Sequence, residues 1–120
     1  MGRRGRRQER LTAASSEYTD AEGNVLTLRG SLTPGARSEY ERTLAGTGAG
    51  AATTREDAWQ RAVELLFERL AVRWVIAGEP IERQRDLLGR LRMASSEERA
   101  WVREVLREHC AEHFPDVRAP

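Results

Sequence analysis

From Arg55 to Phe114 the apolar residues recur with a helical period, and this block holds most of the strong patterning in the chain. Trp59, Val63, Leu66, Leu70, Trp74 and Ala77 form one stripe. Ala58, Ala62, Leu65, Val72 and Ile76 form a second beside it. Two stripes exceed the single apolar face of an ordinary surface helix, so a central helix contacted from two sides is expected over residues 55–77. At 1.5 Å per residue it would be about 35 Å long. Thr54-Arg55-Glu56-Asp57 has capping-box spacing at its start, with the shorter Asp in the fourth place. Gly78-Glu79-Pro80 breaks the pattern, and Pro80 suits the first position of a helix over 80–92, with Ile81, Leu87, Leu88 and Leu91 inward. Ser95-Ser96-Glu97-Glu98 is a fuller capping box. It opens a helix over 96–113 that carries Trp101, Val102, Val105, Leu106, Cys110 and Phe114 on or just beyond it, with Pro115 as the stop.

Ahead of this block, Glu17-Tyr18-Thr19 and Val25-Leu26-Thr27-Leu28-Arg29 flank a loop of Asp20-Ala21-Glu22-Gly23-Asn24. Two β-prone runs around such a loop predict a hairpin over about 17–29. A hairpin alone is marginal, so it must lean on the helices or on a partner. Leu32-Thr33-Pro34 then starts a helix over 34–45, with Thr33 as the cap and Ala36, Tyr40 and Leu44 every fourth residue. Gly46-Thr47-Gly48-Ala49-Gly50-Ala51-Ala52 follows as a linker. The expected fold is mainly α (α+β), a short N-terminal hairpin and about four helices in a small bundle. Residues 15–116 would form one domain, with 1–14 an Arg-rich arm and 117–120 a tail.

At 120 residues there is room for one small core. A net charge of +1 conceals an asymmetry. The first ten residues hold Arg3, Arg4, Arg6, Arg7 and Arg10 against Glu9, a net +4. The remaining fifteen Arg and eighteen acids leave the body at −3. No apolar signal core follows the arm, and no run approaches the ~20 apolar residues of a membrane helix. The single cysteine, Cys110, leaves no intrachain disulfide and suits a reducing compartment. A cytoplasmic location without a membrane partner is expected.

Candidate chemistry is sparse. His109-Cys110-Ala111-Glu112-His113 satisfies the H-x-x-E-H spacing of inverted zincins. A hydrolytic zinc also needs a third protein ligand, and only seven residues follow His113. Imidazoles near a helix C-terminus also complement the negative end of its dipole, so no metal ligand is assigned here. The spaced glycines Gly46, Gly48 and Gly50 follow a helix rather than a strand, and a chain without lysine cannot form a P-loop. Ser15, Ser16, Ser95 and Ser96 have no identifiable base. No catalytic residue or cofactor is therefore expected. The Arg arm could neutralise about five phosphates, a salt slope near −4.5, but no stacking aromatic interleaves it. Among the tryptophans, Trp59 and Trp101 are expected in the core, and Trp74 nearer the rim. A core Trp59 predicts a loss of about 3–5 kcal/mol in Trp59→Ala.

The order of hairpin, short helix and helical block, carried by Glu22–Pro34 and by Arg55–Glu64, resembles tail assembly chaperones of long-tailed (siphovirus-like) bacteriophages and prophages. The likeness covers roughly residues 17–114 in layout. It implies a non-enzymatic holdase that keeps a long, helical tape measure protein soluble in the host cytoplasm during tail assembly. The family has no residue motif to carry over. The partner surface expected here is the second stripe of the long helix, Leu65, Val72 and Ile76, with Trp74 beside it. Self-association is a further expectation. The alternative is a small nucleic-acid-associated or regulatory protein acting through Arg3, Arg4, Arg6, Arg7 and Arg10.

Overall fold

The computed structural model describes residues 15–46 and 55–119; the Arg arm, most of the Gly-rich linker and the Thr54 cap lie outside them. Strand β1 (Ser16–Thr19) and strand β2 (Val25–Leu28) form the expected hairpin. Asp20 builds its turn: Oδ1 accepts from the Glu22 and Asn24 amides, and Oδ2 accepts from the Asn24 side chain. Helix α1 (Pro34–Leu44) follows, with Thr33 accepting from the Ala36 amide as its cap. Gly46, at φ +76, ends it in the left-handed region that glycine adopts without strain.

The long helix is shorter than the periodicity implies. Helix α2 (Arg55–Leu70) stops at Leu70, and strand β3 (Ala71–Ile76) continues from it without a loop. Val72, Val75 and Ile76 are β-branched and Trp74 is aromatic, a composition that favours a pleated, half-buried surface. The first stripe misled because Leu70 and Trp74 are four apart, which fits a helix face. Here Trp74 comes inward as a strand residue, paired with Leu26, and a register shift beside Leu28 absorbs the extra position. The Arg29 amide donates to the Leu70 carbonyl at 2.9 Å, satisfying a group that the interrupted helix leaves open.

The segment expected to begin a helix at Pro80 is instead strand β4 (Glu79–Ile81), and helix α3 spans Gln84–Arg92. Ala77 at φ 51 and Gly78 at φ 81 form a two-residue turn with both angles positive, whose twist suits a tight hairpin. Pro80 sits on an outer strand, where its missing amide costs least. Ala77 is the strained member of this turn. Its amide donates to Asn24 Oδ1 at 3.0 Å, so one side chain pins both hairpin turns. Helix α4 (Ser96–His113) starts on a complete Ser95/Glu98 capping box.

The result is a mixed α+β fold, a four-stranded antiparallel sheet in the order β1-β2-β3-β4 with the helices gathered on one face. The bundle expectation holds only for the helical layer. Leu26, Leu28 and Trp74 of the sheet meet Leu66, Phe67 and Leu70 of α2, Leu87 and Leu91 of α3, and Val102 and Leu106 of α4. Of the expected tail, residues 117–119 are described and are not free. Val117 is buried, the Tyr40 hydroxyl donates to the Arg118 carbonyl, and Arg37 pairs with Asp116 at 2.7 Å.

The tryptophans exchange roles. Trp74, expected at the rim, is 1% exposed and meets Phe67 edge-on at 5.7 Å between centroids. Arg90 lies 5.4 Å over its ring. Trp59 is only half-buried and lies outside the core, with the Arg103 guanidinium 5.2 Å over its ring. Trp101 packs against the core while partly exposed. Trp74→Ala should therefore lose about 3–5 kcal/mol, and Trp59→Ala clearly less, as read by chemical denaturation. Equal losses would return Trp59 to the core. Ala77→Gly should raise the melting temperature by relieving the left-handed alanine, a gain of about 1 kcal/mol; a lower melting temperature would refute the strain.

Candidate interaction site

The H-x-x-E-H residues lie where α4 meets the hairpin. His109 is fully buried. Its Nε2–H donates to the Arg29 carbonyl at 2.8 Å, which leaves Nδ1 to accept from the Tyr18 hydroxyl, also at 2.8 Å. This neutral tautomer satisfies both ring nitrogens. One turn on, His113 Nε2 lies 3.1 Å from the Ser16 hydroxyl, and the two imidazoles sit 4.4 Å apart. The motif thus stitches both strands of the hairpin to α4. Among the described residues no group of three His, Cys, Asp or Glu is placed to hold a metal.

Burial chiefly sets the electrostatics of this seam. It lowers the His109 pKa, assisted by His113, against the opposing pull of the Arg29 carbonyl and Glu112. Burial also raises the Tyr18 phenol, with Glu112 and Glu108 adding to the effect. The adjacent Cys110 thiol is buried and pushed up to about 11, far from a reactive thiolate.

The expected partner surface fares differently at each position. Trp74 is in the core, so it is no contact residue. Leu65 and Ile76 are partly buried against the core cluster. Of these four, only Val72 is exposed, at 37%. The stripe dissolves because Leu65 belongs to a helix and the other three to a strand, so the four no longer share a face. Arg3, Arg4, Arg6, Arg7 and Arg10 lie outside the described residues.

The sheet offers a surface that helical periodicity concealed. Its outward side holds two cross-strand rows, Thr19-Val25-Val75-Pro80 and Glu17-Thr27-Arg73. Thr19 and Pro80 are exposed, while Val25, Thr27 and Val75 are half-buried. Val72 sits at the bulged end of β3, where it borders a cleft of about 390 Å³ with Arg29, Leu32 and Arg69. The alternation of inward Leu26, Leu28 and Trp74 with these residues was the available signal.

No described helix is long and apolar enough to cross a membrane. Comparison with family models, curated proteins and solved structures finds no match.

Protonating buried His109 favours unfolding, because its folded pKa lies below the ordinary value of 6.5. The stability it protects is complete above that value and is lost as pH falls toward the depressed one. His109→Gln, which keeps a donor and an acceptor, should flatten the fall in melting temperature just below pH 6.5. An unchanged pH profile would remove His109 from the seam's acid sensitivity.

Proposed function

We propose that this chain is a non-enzymatic partner-binding protein, and most specifically a tail assembly chaperone of a long-tailed bacteriophage or prophage, binding the tape measure protein in the host cytoplasm. The observation that carries the reading is the uncovered side of the sheet. One face is buried under helices, while the other keeps Val25 and Val75 half-buried in the row beside Glu17-Thr27-Arg73, with exposed Val72 at the bulged end of β3. An apolar band rimmed by charge suits an amphipathic helix laid across it. A tape measure protein would supply such helices in series, and a holdase needs only to cover them.

Val72 gives the sharpest variant, because it is exposed and its replacement leaves the core intact. Tagged chain captured from producing cells should retain a long helical protein after nuclease treatment and after deletion of residues 1–10. Val72→Asp should lose it while melting as the parent does. Bound material that disappears with nuclease or with residues 1–10 would replace this reading by a nucleic-acid one centred on the arginines.

A further inference from the structure

Strand β1 is an outer strand, and its far edge pairs with no other strand among the described residues. Such an edge presents amide and carbonyl groups to any added strand. Helix α4 runs beside it. At the hairpin turn, Asp20 and Glu22 share a cleft of about 370 Å³ with Glu97, Trp101 and Glu104. At the other end, Tyr18 and Ser16 bond to His109 and His113, and the charges of Glu108 and Glu112 reach Tyr18.

Glu97, Trp101, Glu104, Glu108 and Glu112 are spaced by four, three, four and four residues, so they form one stripe along α4. The four carboxylates are exposed and Trp101 is half-buried. Arg99, Arg103 and Arg107 lie on the opposite flank of the helix, with Arg103 directed to Trp59. The charged residues on the side toward β1 are therefore acidic, and Asp20 and Glu22 of the hairpin turn extend it. Among the described residues, none of the four stripe carboxylates is in an ion pair.

The occupant is indicated by the chain itself. Residues 1–14 lead directly into this edge and carry Arg3, Arg4, Arg6, Arg7 and Arg10 against one acid. Extended, fourteen residues reach about 46 Å. The stripe from Glu112 to Glu97 measures about 22 Å at 1.5 Å per residue. A chain that reverses ahead of Ser16 runs antiparallel to β1 and passes the stripe from the Glu112 end to the Trp101 end. We propose that residues 1–14 dock in cis along the free edge of β1, their arginines paired with the α4 carboxylates and one stacked on Trp101. Covalent attachment supplies an effective concentration in the millimolar range, which favours the tethered segment over a second copy. The same acidic flank repels phosphate, so the docked arginines are withdrawn from nucleic acid. The proposal rests on the edge and the stripe and is independent of the chaperone reading.

The test uses the full chain with Arg6→Cys carrying a nitroxide, since the native thiol of Cys110 is buried. In low salt the label should suppress the amide resonances of Trp101, Glu104 and Glu108 and spare those of α3. The signals should return in 1 M salt, where the Debye length falls to about 3 Å. They should also return in Glu104→Lys/Glu108→Lys, and on replacing Arg3, Arg4, Arg7 and Arg10 by Gln, which alters none of the described residues. Signals that never weaken, or that weaken equally in every variant, would overturn docking. Suppression that fades on mixing with unlabelled chain would assign the edge to a second copy instead.

Discussion

The pairing of β2 with β3 governs the rest of the molecule. Two strands alone bury too little to persist, whereas a third strand gives the hairpin a neighbour and the helices a surface to cover. For β3 to reach β2, α2 must end at Leu70, and the Arg29 amide on the Leu70 carbonyl makes that ending compatible with burial. Leu26, Leu28 and Trp74 are thereby carried onto one side together, and the helices assemble against them. Had the helix continued to Ala77, Trp74 would have followed Leu70 on α2 and the inner face of β2 would have lacked its partner.

The second constraint is the polar seam within this otherwise apolar layer. A buried imidazole is costly unless both nitrogens are engaged. His109 meets that condition using one group from each strand, Tyr18 and the carbonyl of Arg29. Leu26 and Leu28 would tolerate some sliding against α4. The directional bonds at His109 and His113 admit one register. Asn24 plays a comparable part at the far end of the sheet, where it joins two turns that lie 53 residues apart.

Elements with local punctuation were legible in the sequence. Thr33-Pro34, Ser95/Glu98 and the Gly-containing turn after Asp20 each announce a boundary through a side chain or a backbone angle, and each lies where expected. The junction at Leu70 has no such mark. Its helix-to-strand switch is selected by pairing with Leu26, a distant event, while the four-residue interval from Leu70 to Trp74 satisfies either structure. The second hairpin was hidden for a related reason, since Ala77-Gly78 lacks the Asn or Asp that usually signals such a turn. The interaction surface inherited the error. Val72 lies at the bulged end of β3 beside Arg29, Leu32 and Arg69 rather than on one helix face with Leu65.

The ties between the hairpin and α4 span 97, 91 and 80 residues of sequence. On a ribosome adding about 5–20 residues per second, the first strands emerge several seconds before the helix that fixes them. Through that interval Leu26 and Leu28 lack the α4 part of their cover, and the hairpin is made well before the helix that secures it. Non-local closure of this kind slows folding and leaves strand edges open to other chains. The N-terminal hairpin is therefore the part of the nascent chain most in need of shielding.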